Sequence, residues 1–145
     1  MDIAEIKQYG SLNVLTATLM GEARGEPVEG IIAAGCVIRN RMLSNNRWFD
    51  TYEEVCLQRK QFSCWKENDN NYEVCIKSLF LSRNGNSQNP IYRQCRWVAN
   101  GIINNWLIDN TAGANHYFNP KVVWPDWAAN FHPVAKYGSH LFFRL

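Results

Sequence analysis

Long apolar runs are missing from this sequence. Nowhere do about 18 apolar residues follow one another, the length a membrane-spanning helix needs, so no membrane insertion is expected. The amino terminus, MDIAEIKQYGSLNV, lacks a basic start followed by an apolar run, and no secretory signal is read there. Charge is scarce as well. Charged residues make up 19%, the net charge is +2, and no basic run resembles a nucleic-acid-binding arm. The five cysteines (Cys36, Cys56, Cys64, Cys75 and Cys95) contain no Cys-x-x-Cys pair, and their number is odd. A complete disulfide framework is excluded; reduced, buried thiols are expected. Zinc-ligand spacing is lacking too, because the histidines sit far downstream of Cys56 and Cys64, so neither metal nor cofactor is expected.

What remains is a chain of 145 residues, 46% hydrophobic, sized for one core and read as a single domain over 1–145, a monomer. Ser11 can cap a first helix through about Ala23, carrying Leu12, Leu15 and Leu19. Gly25 and Pro27 break it. Pro27 suits the first position of a second helix with Val28, Ile31, Ile32, Gly35, Ile38 and Met42 on one face. Its small run Ala33–Cys36 admits a close neighbour, which marks it as the central helix. Thr51 and Glu54 form a capping box. A polar stretch, RKQFSCWKENDNNY, reads as an extended loop or small hairpin. Another helix starts near Tyr72, buries Cys75, Ile76, Leu79 and Phe80, and stops near Gly85. Asn89 and Pro90 start a last one with Ile91, Val98 and Ile102. The remainder, rich in glycine, proline and aromatics, reads as irregular structure with short strands. The class is α+β, mainly α-helical.

One position resists this pattern. Continuing the spacing of Leu12, Leu15 and Leu19 by three reaches Glu22, in GEARGEP. A carboxyl at the rim of an apolar face is penalised when charged, so it stays protonated near neutral pH. Cleavage of a glycosidic bond needs such an acid beside the leaving oxygen. An ordinary surface glutamate is the plainer alternative. Glu26 reads as a structural carboxylate at the turn, and Glu29 suits the first turn of the second helix. Arg39 and Arg41 read as helix-end charges.

The segments MGEARGEPVEGIIAAGCVIRNR, QFS at 61–63, DNTAGANHYFNP and GSHLFF together resemble the SleB-type cell-wall hydrolases, the family of the spore-cortex-lytic enzymes. They recur in order over about residues 14–143. Asn110 departs from the pattern, where that family often has proline. The resemblance implies a lysozyme-like fold related to lytic transglycosylases, acting on the glycan strands of peptidoglycan. It implies Glu22 as the catalytic acid. Gln61 and Tyr117 would line the sugar site, and Ser63, His116 and Asn119 join them as substrate-binding candidates. Asp109 is the candidate second carboxylate should the bond be cut by water, although its place beside a turn-like Asn-Thr suits a loop cap at least as well. Aromatic faces pack against pyranose rings, and Trp48, Trp65 and Trp124 lie in turn-rich contexts suited to that. His132 and His140 receive no role. The picture is a phage endolysin made in the host cytoplasm and released through a holin lesion.

Two rivals stand beside this reading. SCW ends like the papain-type nucleophile sequence, with Gln58 upstream of Cys64 and His116 as a possible base. The rest of that motif is missing upstream of Ser63, and His116 follows far sooner than papain-like chains place their histidine. The other rival is a peptidoglycan-binding module with a vestigial site.

Overall fold

The computed structural model describes residues 1–44, 49–84 and 87–145. Among these, helices α1 (Ile3–Lys7), α2 (Ser11–Ala23), α3 (Val28–Leu43), α4 (Tyr52–Cys56), α5 (Tyr72–Asn84) and α6 (Pro90–Ile103) come first. Strands β1 (His116–Phe118), β2 (Ala135–Tyr137) and β3 (His140–Phe143) follow, paired antiparallel with β3 in the middle. Short 3-10 turns occupy Ser63–Trp65 and Asp126–Asn130. The fold is α+β and mainly helical, as expected. Both the stop near Gly85 and Trp48 fall outside the described residues.

The centre is α2, not α3. Every residue from Val14 to Gly21 is buried, and α2 packs on α3, α4, α5, α6 and the 3-10 turn at Ser63–Trp65. A helix enclosed on all sides has no single apolar stripe. Thr16 and Thr18 fit inside because their hydroxyls donate back to the carbonyls of Leu12 (2.7 Å) and Val14 (2.8 Å). Ser11 is not the cap. Gly10, at φ +84°, takes that place, and the Ser11 hydroxyl instead donates to Glu53 at 2.5 Å. The short α1, capped by Asp2, was not anticipated.

Pro27 is the N-cap of α3 rather than its first residue. The small run works as expected: a Cβ on Gly35 would stand 2.8 Å from the Ile102 side chain of α6. Arg39 is no helix-end charge. It is buried and donates to the Ile102 carbonyl at 3.2 Å. Thr51 caps α4 by accepting from the Glu54 N–H at 3.2 Å, while its hydroxyl donates to the Glu54 carboxylate at 3.0 Å. Asn89 caps α6 through the N–H groups of Ile91 and Tyr92. Phe80, expected to be buried, is 44% exposed, and Ile91 is 45% exposed, whereas Cys75, Leu79, Val98 and Ile102 are in the core together with Ser78, Tyr92, Cys95 and Ala99. All five cysteines are free and buried.

The sheet lies on α3. Phe142 packs with Ala33 and Val37 of that helix, whereas Phe118 and Phe143 pack with Ala128 in a separate small cluster. Successive strand residues face opposite sides. Tyr117, between His116 and Phe118 and paired with Phe142, therefore turns toward the helices.

Candidate active site

The last turn of α2 carries Glu22 to the point where the 3-10 turn and β1 meet it. Gly21 makes that approach possible. A Cβ there would stand 2.7 Å from Cys64 Cβ and 2.9 Å from its Sγ, and it would collide with the Cys75 sulfur. The Tyr117 hydroxyl donates to Glu22 Oε1 at 3.0 Å. The backbone and thiol of Cys64 face the carboxyl and favour its charged form. Burial pushes the Glu22 pKa above the ordinary carboxylate range; the bonds from Tyr117 and Cys64 pull part of that back, and the negative charge of Asp69 adds to it. Burial and the neighbouring Glu22 likewise hold the Tyr117 phenol well above its usual pKa, so it stays a donor.

Cys64 is fully buried, and its hydrogen bond with Cys75, followed by burial, drives its pKa upward. A thiol in that state is no nucleophile, since the thiolate is the reactive form. This removes the basis of the cysteine peptidase rival. Burial, with the nearby Arg41 cation second, lowers the His116 pKa to about 4. His116 also faces away from Tyr117, against Trp127 (ring centroids 5.1 Å apart), with Asn115 Oδ1 at 2.9 Å from its Nδ1. The structure does not bring it to Glu22.

Of the other sugar-site candidates, Gln61 is exposed and accepts from Arg41 at 3.0 Å. Arg41 is thus no simple helix-end charge: it joins α3 to Gln61, to the Asn115 carbonyl (2.8 Å) and to the face of Phe62 (5.3 Å). Ser63 is exposed at the start of the 3-10 turn. Asn119 shapes the turn after β1 by accepting from the Lys121 N–H at 2.9 Å. Trp65 points inward and gives its indole N–H to Thr18 at 3.0 Å, which makes it a packing residue. Trp124 is 64% exposed, its ring against Phe118.

Asp109 is fully occupied. One carboxylate oxygen accepts from the Thr111 N–H (2.8 Å) and hydroxyl (2.6 Å), the other from the Gly113 N–H (2.9 Å) and Asn40 (3.2 Å). Burial raises its pKa, but these bonds outweigh it and hold the carboxyl below its usual value. Its geometry is that of a loop cap. Glu26 binds the β2–β3 turn through Ser139 and His140. Sequence reasoning passed over Cys64 as a contact of the acid, Asp69 as a nearby charge, and His140. No periodicity links them to Glu22; only HxF in the closing segment pointed to His140.

The chain's residues 25–143 match the model of a family described as Cell Wall Hydrolase. The spore cortex-lytic enzyme of Oceanobacillus iheyensis is 27% identical over 132 residues, which is 90% of this chain and 40% of that protein. Those of Bacillus cereus and Bacillus subtilis are 26% and 25% identical over 131 residues each. The chain spans about two fifths of the length of these relatives. Two solved structures share the fold at TM-score 0.68 and 25% identity. One is the catalytic domain of the germination-specific lytic transglycosylase SleB from Bacillus anthracis, with 92% of this chain and 93% of that one covered. The other is the catalytic domain of the Bacillus cereus SleB protein, with 94% and 91% covered. A match over this much of the chain, in a fold shared nearly end to end, places it plainly: the protein belongs to the cell wall hydrolase family.

Proposed function

We propose that this chain cleaves the glycan strands of peptidoglycan between MurNAc and GlcNAc, as a lytic transglycosylase with Glu22 as general acid and base. The observation that carries the reading is Glu22 itself: a half-buried carboxyl, biased toward its protonated form, with a phenol donor at 3.0 Å. Glu22 gives its proton to the glycosidic oxygen as the bond to muramoyl carbon 1 breaks. Its carboxylate, held by Tyr117, then takes the proton of the carbon-6 hydroxyl as that oxygen closes onto carbon 1. No water enters, so no second carboxylate is needed. The saturation of Asp109 by four donors supports this route. Exposed Gln61 and Ser63 offer polar groups to the sugars, Gln61 being oriented by Arg41.

A second reading, a hydrolytic muramidase, needs a second carboxylate, and Asp69, a nearby negative charge whose Oδ1 accepts from the Asn71 N–H at 2.8 Å, is the one to test. Mass analysis of products from purified peptidoglycan separates the two. Anhydro ends support transglycosylation; ordinary reducing ends that disappear with Asp69→Asn support hydrolysis. Host-cell lysis belongs to the same proposal: the purified protein should clear a suspension of permeabilised target cells.

A further inference from the structure

The β2–β3 hairpin closes on the turn that follows α2, and the contact is made by titratable groups. Glu26 Oε1 accepts from the Ser139 N–H at 2.9 Å, and Oε2 accepts from its hydroxyl at 3.2 Å. Glu26 Oε1 also lies 2.9 Å from His140 Nδ1, both side chains being nearly buried. The hairpin turns at Gly138, φ +54°, where a Cβ would come within 2.9 Å of Pro27 and 3.2 Å of Glu26 Oε1. Only glycine allows so close an approach in that conformation. On its other side the His140 ring meets Tyr117 edge-on, with centroids 4.9 Å apart and planes at 69°. Tyr117 in turn holds Glu22. A continuous chain of contacts, Glu26–His140–Tyr117–Glu22, therefore runs from the second glutamate of GEARGE back to the first.

We infer that Glu26 and His140 are positioning residues for the reaction, fixing the Tyr117 ring so that its hydroxyl stays on Glu22 throughout turnover. The inference rests on the reading of Glu22 as the acid. In that reading Glu22 becomes a carboxylate once it has delivered its proton, and a hydrogen bond to an ionised acceptor is about twice as strong as a neutral one. The phenol must be in reach at that moment. A three-residue strand limits the backbone of Tyr117 but leaves the ring to its neighbours, and His140 is the one tied to a charge. The groups around His140 are Glu26 from the α2–α3 turn, Tyr117 from β1, Tyr137 opposite it on β2 and Phe142 on its own strand. Glu26 alone among them carries a charge. Nδ1 faces the Glu26 carboxylate at 2.9 Å, a close contact outside hydrogen-bond geometry that packs the ring between Glu26 and Tyr117. Burial lowers the imidazole pKa against the pull of Glu26, so the ring facing Tyr117 is neutral.

The experiment is a mutant cycle read in turnover on purified peptidoglycan, with melting temperatures taken alongside. Tyr117→Phe, His140→Phe and Glu26→Gln are each expected to lower kcat about tenfold or more with KM nearly unchanged, since a displacement of about 1 Å can cost 10²-fold. Glu26→Gln keeps an oxygen for the Ser139 N–H, and His140→Phe keeps an aromatic edge, so both should fold. Because the pair acts through the phenol, the double variants of Tyr117→Phe with either change should turn over no more slowly than Tyr117→Phe alone. Losses that multiply, or full activity in Tyr117→Phe, overturn the inference. Lower melting temperatures with unchanged kcat do so as well, reducing the pair to a hairpin anchor. Should His140→Phe not fold, Glu26→Gln with Tyr117→Phe closes the same cycle. Glu22→Gln is run in parallel: its activity at the wild-type level would overturn the acid reading, whereas multiplying losses beside an inactive Glu22→Gln overturn only the positioning role.

Discussion

The hydroxyl of Tyr117 lies 3.0 Å from the carboxyl of Glu22, joining residues 95 positions apart in the chain. One comes from the last turn of the buried central helix, the other from a three-residue strand. Burial biases Glu22 toward holding a proton, and Tyr117 supplies a donor that would steady the carboxylate of the proposed reaction.

Glu22→Gln should fold and lose about 10²–10⁴-fold in kcat, because the amide keeps the shape but delivers no proton. Its stability carries a sign. A carboxyl whose pKa is raised by folding binds protons more tightly in the native state, so stability is greatest below the unfolded-state pKa and falls as pH rises toward the folded one. The glutamine variant escapes that loss. It should melt above the wild type at neutral pH and close to it in acid, as calorimetry at several pH values would read.

The same shift sets the pH profile. If Glu22 is the acid, activity requires its protonated form, so kcat/KM should fall on the alkaline side as pH passes its raised pKa. The Tyr117 bond lowers that pKa, since it favours the carboxylate. Tyr117→Phe should therefore move the alkaline limb to higher pH even as the rate drops. A limb that moves down, or stays put, contradicts the assignment of that limb to Glu22.

Much of the helical layout was legible in the sequence, because capping residues act locally: Asn89, Thr51 and Pro27 mark helix starts to within a residue. The central helix was not. Thr16 and Thr18 count as polar in any periodicity, yet their hydroxyls are satisfied within the helix itself, so the stripe looked narrower than it is. Phe80 and Ile91 show the converse, being apolar residues left nearly half exposed. Glu22 stood out only because it interrupted a leucine spacing. Its partners come from distant segments, and nothing local ties Tyr117 or His140 to it. Asp109 read equally as a second carboxylate or as a loop cap beside Asn110 and Thr111, and the four donors around it favour the cap.

Gly21→Ala tests the packing that delivers the acid. Its methyl would overlap the Cys64 and Cys75 side chains, and overpacking of this kind costs about 1–3 kcal/mol. Chemical denaturation should show that loss, with activity reduced as the 3-10 turn is pushed away from Glu22.

Cys64→Ser separates the glycosidase from the peptidase. With the thiol buried and its pKa driven upward, alkylation of the native protein should leave activity intact, and the serine variant should still release glycan fragments. Free peptides from the wild type, lost in a folded Cys64→Ser, would reverse that conclusion.

The most direct measurement is a digest of purified peptidoglycan in heavy-oxygen water, with the new ends weighed by mass spectrometry. If Glu22 acts alone, passing one proton out and taking one back, each new end is a 1,6-anhydromuramoyl group, lighter by one water than a hydrolysed end and free of label. Ordinary reducing ends carrying heavy oxygen would contradict the account, showing that a water attacks and that a second group, with Asp69 first to be tested, activates it.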